Sequence, residues 1–203
     1  MYIPELYKNE NREDIENFIH QNGFAVLVNQ TQGKLWATHT PLLLETKADG
    51  TLILVGHISK LNPQATAFTD NEEVLAIFSG AHAYVSSSWY DHENVPTWNY
   101  LAVHIYGKVR LYNHEEALGF LKKLVDKYET PSENPVRVEN LSEKTMREAR
   151  GIVAFEIEIT GIEAQKKLSQ NRDDKNYLNI IKELEKTKEN QAIAIAEAMK
   201  KNR

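Results

Sequence analysis

In "GHISKLNP" (56–63), a strand-like run delivers a hydroxyl, Ser59, and an ammonium, Lys60, to a helix start at Asn62-Pro63. Free backbone N–H groups beside such side chains make an anion site, although an ordinary strand-to-helix turn carries the same residues. "ATHTP" (37–41) sets Thr38, His39 and Thr40 inside an otherwise apolar strand. Threonine is a good strand former and needs no function there, while a buried His39 needs a hydrogen-bond partner. Trp89, Tyr90, Trp98 and Tyr100 are interleaved with Ser86, Ser87, Ser88 and Asn99. Aromatics so spaced more often form core or a subunit interface, yet a flat heteroaromatic ligand needs this pairing of apolar slot and placed donors. "KKLSQNR" (166–172) reads either as a polar loop or as a donor-rich loop for an anion or amide, through Ser169, Gln170, Asn171 and Arg172.

Other chemistries are disfavoured. The nine glycines form no Walker A or GxGxxG pattern, and no GxSxG elbow is present. The seven histidines lack HExxH or similar ligand spacing, which leaves only a spatial meeting of His82, His92 and His104 for a metal. With no cysteine there is no disulfide framework, thiolate nucleophile or Cys-type zinc site. Net charge is −5, whereas a DNA binder usually carries a basic footprint. Only Lys166–Arg203 is locally basic, with ten Lys/Arg against six Asp/Glu, and a solvated helix face explains that more simply than nucleic acid. No stretch approaches 18 consecutive apolar residues, and the start "MYIPELYKNENRED" lacks the order of a signal peptide, so a cytoplasmic protein without a membrane span is expected.

The elements that must position these residues are legible from period and punctuation. Asn11 caps a helix bearing Ile15, Phe18 and Ile19, which Gly23 ends. "FAVLV" (24–28) suits a buried strand, Gln32-Gly33 turns into a strand over 34–45, and Asp49-Gly50 turns into another over 51–59. Asn62-Pro63 opens a helix through about Phe68. Residues 73–80 and 81–90 are two strands or one bent strand. "VPTWNYLAVHIYGKVRLY" (95–112) is one long strand. One face is largely aliphatic; the other carries Trp98, Tyr100, His104, Tyr106 and two cations, and needs a cover other than water. Asn113 and Glu116 form a capping box for the next helix, 129–150 is polar and broken by proline, and 152–162 alternates as a strand with Glu156 and Glu158 opposite the apolar face. From about Asp174 the tail favours helix throughout. The sum is a mainly β (α+β) chain, an antiparallel sheet or barrel with helical trim.

Together, "ATHTPLLL", "GHISKLNPQ", "FSGAHAYVSSSWY", "VPTWNYLAVHIYGKVRLY" and "KLSQNR" resemble, in order and spacing, the PaiB-like FMN-binding proteins, a family also described as negative transcriptional regulators of protease synthesis and sporulation. The resemblance implies a six-stranded antiparallel split β-barrel over 1–172, similar to pyridoxamine-phosphate oxidases and flavin reductases, with a helical extension over 173–203. It implies a homodimer with FMN in the cleft between subunits. Thr38, His39 and Thr40 would line the isoalloxazine ring, and His57, Ser59, Lys60 and Asn62 would lie near the ribityl chain and phosphate. Trp98, Asn99, Lys167, Gln170, Asn171 and Arg172 would complete the cleft from the other subunit. This chain has Ser87 where the family often has proline, and Ala164-Gln165-Lys166-Lys167 where it often has Gly-Lys-Trp-Lys, which removes a stacking residue. The resemblance leaves room for flavin-dependent oxidoreductase activity. Two further functions compete with FMN binding: direct DNA binding by a repressor, and haem binding or breakdown by a related barrel.

Overall fold

The computed structural model describes residues 1–31 and 33–202. Six strands form: β1 (Phe24–Thr31), β2 (Lys34–Thr46), β3 (Leu52–Ser59), β4 (Glu73–Val85), β5 (Thr97–Leu111) and β6 (Ile152–Lys167). They are antiparallel and close one barrel in the order β1-β2-β3-β6-β5-β4. Five α-helices accompany them among the described residues: α1 (Arg12–Gln21), α2 (His114–Glu129), α3 (Glu143–Met146), α4 (Asp174–Lys186) and α5 (Asn190–Lys201).

Punctuation in the sequence sets the register. Asp49-Gly50 turns as expected: Gly50 takes φ +87°, Lys47 N–H donates to Thr51 O at 2.8 Å, and Thr51 N–H donates to Asp49 Oδ1 at 2.9 Å. The turn leads β2 into β3 with Thr46 opposite Leu52 and Leu42 opposite Gly56. Of the Gln32-Gly33 turn, Gln32 lies outside the described residues and Gly33 takes φ +77°.

The chain divides into two compact units. The β1–β3 unit holds Ile19–Ile77 and Ile105–Ile162; the terminal unit holds Met1–Phe18, Phe78–His104 and Glu163–Arg203. In the β1–β3 unit, Phe120 and Leu124 of α2 bury against Leu43, Ile53, Val55 and Ala154 of β2, β3 and β6. In the terminal unit, Ile180, Ile181 and Leu184 of α4 share a core with Ala192, Ile195 and Met199 of α5, Ala83 and Val85 of β4, and Tyr90. The Tyr177 hydroxyl donates to Met199 O at 2.7 Å within that core.

Of the two readings left open for 73–90, residues 73–85 form one strand. Local detail departs from the sequence expectations in three places. Pro63–Ala67 winds as a 3-10 turn, capped by Asn62, which accepts from Gln64 N–H. The tail breaks between α4 and α5, where Thr187 Oγ1 donates to Leu184 O at 2.8 Å and Lys188 takes φ +60°. β1 buries only one face: Ala25, Leu27, Asn29 and Thr31 are enclosed, while Phe24, Val26 and Val28 stay partly exposed.

The capping box at the start of α2 is complete. Glu116 N–H donates to Asn113 Oδ1 at 3.0 Å, and Asn113 N–H donates to Glu116 Oε2 at 2.8 Å. Asn113→Ala is therefore expected to cost about 1 kcal/mol. It should read as a lower urea midpoint at unchanged m-value, because the unfolding surface stays the same.

Candidate functional site

Within the β1–β3 unit, the register brings the ends of β2 and β3 together, and with them most of the first predicted set. Thr40 is buried and its hydroxyl donates to His57 O at 2.6 Å, tying β2 to β3. Thr38, one pleat further on, accepts from Asn62 Nδ2 at 2.7 Å. Asn62 Oδ1 in turn accepts from Gln64 N–H at 2.9 Å, so both ends of its amide are engaged and the loop after β3 is tied to β2. Ser59 is exposed and its hydroxyl accepts from Leu61 N–H at 3.2 Å. Lys60 is fixed through its backbone, which donates to Gly151 O at 2.8 Å, while its exposed ammonium forms no ion pair among the described residues.

His57 is half-buried against the Phe120 ring, 5.8 Å between centroids, and burial lowers its pKa below the ordinary imidazole value. Its Nδ1 is enclosed without a hydrogen-bond partner. His39 parts company with Thr38 and Thr40, because alternation turns it to the outer face of the sheet. There it is exposed and stacked on Phe24, with centroids 5.9 Å apart and 28° between the planes.

The outer face around His39 is apolar over three strands. Val26 lies opposite His39 on β2 and Ile77 on β4; Val28 lies opposite Ala37 and Leu75. Phe24 and Leu35 extend the patch and are 66% and 80% exposed. On β5, Tyr100, His104 and Tyr106 likewise stay half-exposed within one chain.

The terminal unit gathers the second set. Trp98 is 51% exposed, with the His82 ring 5.5 Å and the Tyr84 ring 6.0 Å from its own. Asn99 is fully buried: it accepts from the Ser169 hydroxyl at 3.0 Å and its amide N–H approaches Met199 Sδ at 3.5 Å, so it locks the 168–172 loop and α5 to β5. Lys167 Nζ donates to Thr97 Oγ1 at 2.6 Å, and burial, with the nearby charge of Arg172, lowers its pKa. Gln170 folds back on its own loop, accepting from Leu168 N–H at 2.7 Å and donating to Lys166 O. Asn171 is exposed, and the Arg172 guanidinium lies 4.9 Å from the centre of the Tyr90 ring.

Two polar features were not singled out by sequence reasoning. Glu156 on β6 is 2% exposed, held by Arg110 at 2.9 and 3.0 Å, by Lys47 at 2.6 Å and by the Tyr112 hydroxyl at 3.2 Å. Asn29, Thr31 and Gln64 form a buried polar group inside the same unit. The signal for the first was present, since cations at 47 and 110 flank a strand glutamate, but pairing across 109 and 46 residues is invisible to local pattern. Among the described residues, no group of three or more His, Asp or Glu could hold a metal ion, and no helix is long and apolar enough to cross a membrane.

The sequence matches a family model described as "Putative FMN-binding domain" over residues 1–161. It is 45% identical over 200 residues to "Protease synthase and sporulation protein PAI 2" of Bacillus subtilis (strain 168), across 98% of this chain and 96% of that protein. Among solved structures it is similar to the FAD and heme binding protein from Mycobacterium smegmatis, with TM-score 0.64 and 16% identity over 85% of this chain and 78% of that one. It is also similar to the flavocytochrome Anf3 from Azotobacter vinelandii, with TM-score 0.60 and 16% identity over 85% and 75%. At that identity the structural likenesses establish the fold, the six-stranded split barrel.

Proposed function

The chain belongs to the FMN-binding domain family, and from that premise we propose that it is a cytoplasmic homodimer of the PaiB type, holding FMN between its subunits and acting in negative regulation of transcription. The observation that carries the reading is the polar group at the ends of β2 and β3. An ammonium, Lys60, with no ion pair among the described residues, and a hydroxyl, Ser59, stand on a loop fixed by the Asn62–Thr38 bond, while the enclosed Nδ1 of the preceding His57 lies on the face of β3 that packs against Phe120 of α2. That donor set fits a flavin phosphate and ribityl chain, since a phosphate dianion favours charge-assisted donors. Thr38, His57, Ser59, Lys60 and Asn62 would hold that end of FMN, and Thr40 would brace them from beneath. His39, on the other face, would meet the second subunit.

The second subunit would supply Trp98, Lys167, Asn171 and Arg172 to the cleft, with Asn99 and Gln170 holding the loop that carries them. The apolar outer face of β4, β1 and β2 supports dimer formation, because contiguous exposed apolar surface on a soluble chain marks an interaction site. When bound, FMN supplies the redox chemistry, and the protein supplies binding and electrostatics.

The tail favours indirect regulation over direct DNA contact. Lys166 and Lys175 pair with Asp14 and Asp91, carboxylates from outside the tail, which offsets two of its four excess positive charges inside the unit; Lys186 and Lys200 pair with the tail's own Glu183, Glu185 and Glu197.

Flavin absorbance of the purified protein and titration of FMN test the reading; a chain that neither carries nor binds the flavin refutes it. Lys60→Ala should weaken FMN about 10–100-fold, the worth of one charge-assisted bond, and leave riboflavin unaffected because that ligand lacks the phosphate. Fluorescence titration of both flavins checks this. Equal loss for the two would move the phosphate away from Lys60.

A further inference from the structure

Gln64 is the most enclosed polar side chain of the β1–β3 unit, at 0% exposure, and it follows the site loop by two residues. Its Nε2 donates twice into β1, to Leu27 O at 3.1 Å and to Asn29 Oδ1 at 2.9 Å. Its backbone N–H donates to Asn62 Oδ1 at 2.9 Å, and Asn62 Nδ2 reaches Thr38 Oγ1 at 2.7 Å. One line of hydrogen bonds thus runs from the barrel interior, through Gln64 and Asn62, to the β2 residue beside the polar group.

Burying this amide is costly. Gln64 Oε1, Asn29 Nδ2 and Thr31 Oγ1 are all enclosed without a hydrogen-bond partner. Each such group costs free energy, and apolar side chains of similar volume would fill the space without that cost. The three atoms comprise an acceptor, a donor and a hydroxyl. An apolar plug would fill the barrel equally well and keep the backbone bond to Asn62, but it would lose the two bonds that anchor residue 64, and the loop bonded to it, to β1.

We infer that Gln64 is the positioning residue of the proposed flavin site. It holds Ser59–Asn62 in the geometry that receives the phosphate, and it touches no ligand itself. This rests on the FMN reading above and adds to it a residue that acts only through Asn62 and the loop.

The test compares FMN with riboflavin by fluorescence titration in wild type, Gln64→Met, Asn62→Ala and the double variant. Gln64→Met is expected to weaken FMN by about tenfold or more while riboflavin stays within about twofold, so the preference for the phosphorylated flavin collapses. In that background Asn62→Ala should cost far less than it does in wild type, because residues acting through one line are non-additive. Unchanged FMN binding, equal loss for both flavins, or additive costs each overturns the inference. Should Gln64→Met not fold, Gln64→Glu takes its place. A buried carboxylate cannot donate to Leu27 O or Asn29 Oδ1, and a protonated carboxyl can donate to one of them. The FMN-to-riboflavin preference of that variant, relative to wild type in the same buffers, should then recover from about pH 8 to about pH 5.5. A flat ratio overturns the inference. Wild type that fails to bind FMN refutes the underlying reading instead.

Discussion

Arg110→Met is expected to lower the unfolding free energy by about 3 kcal/mol at neutral pH, the cost of breaking a buried ion pair from one side. Glu156 is 2% exposed on β6, and Arg110 grips it with two parallel bonds of 2.9 and 3.0 Å. Burial pushes the carboxyl up, but hydrogen bonds and charge from Arg110 and Lys47 outweigh it and hold Glu156 at about 2. Methionine keeps the hydrophobic stem and removes the guanidinium, leaving Lys47 at 2.6 Å as the remaining cation. Glu156→Gln should cost less, because the Arg110 side chain is 45% exposed and can turn its charge to water. The sign with pH follows from the folded value lying below the unfolded one, about 4.3 for a free glutamate. The stability Glu156 contributes is fully present above that value and is lost as pH falls towards 2. Urea unfolding at about pH 7 and about pH 3 should therefore show the gap between wild type and Arg110→Met narrowing in acid. An equal gap at both values would mean that the pair is held by packing and not by charge.

The same residue shows how far the sequence could be read. Alternation in 152–162 puts Phe155 and Ile157 inside and Glu156 on the opposite side, and the structure agrees. What alternation cannot say is whether that other side meets water, because the residues covering Glu156 come from positions 47, 110 and 112. Local chemistry was legible wherever the signal was local: the Asp49-Gly50 turn, the Asn113–Glu116 box and the Asn11 cap, whose side chain accepts from Asp14 N–H at 3.1 Å. The expected helix after Asn62 became a 3-10 turn, since five residues are too few for an α-helix to repay its nucleation. For the proposed site, types and order pointed to Thr38, Ser59, Lys60 and Asn62, and the structure joins two of them through the Asn62–Thr38 bond. The sequence hid the division of labour. Asn99 and Thr40 look like ligand contacts in a motif, yet their side chains are spent on holding neighbouring segments. Gln64, two residues past the loop, carries no local signal of burial, and it is wholly buried.

Val26→Asp is expected to turn the proposed dimer into a monomer and to strip it of FMN. Val26 is central to the apolar outer face, flanked by Ile77 on β4 and His39 on β2. Its neighbours along the strand, Ala25 and Leu27, point inward, so the substitution leaves the barrel interior untouched and the monomer should keep its fold. In a two-fold interface the same patch is used twice, so each dimer receives two carboxylates in a largely apolar setting that holds no Lys or Arg among Phe24, Val28, Leu35, Ala37, His39, Leu75 and Ile77. An unpaired buried charge costs several kcal/mol, enough to dissociate an interface of ordinary size at micromolar concentration. Because the proposed cleft takes one set of residues from each subunit, the monomer should hold FMN at least about a hundredfold less tightly. Sedimentation or light scattering reports the mass, flavin absorbance reports retention, and circular dichroism verifies the fold. A folded monomer with undiminished FMN affinity would place the whole site within one chain. An unchanged dimer would move the interface off this face, towards the half-exposed Tyr100, His104 and Tyr106 of β5.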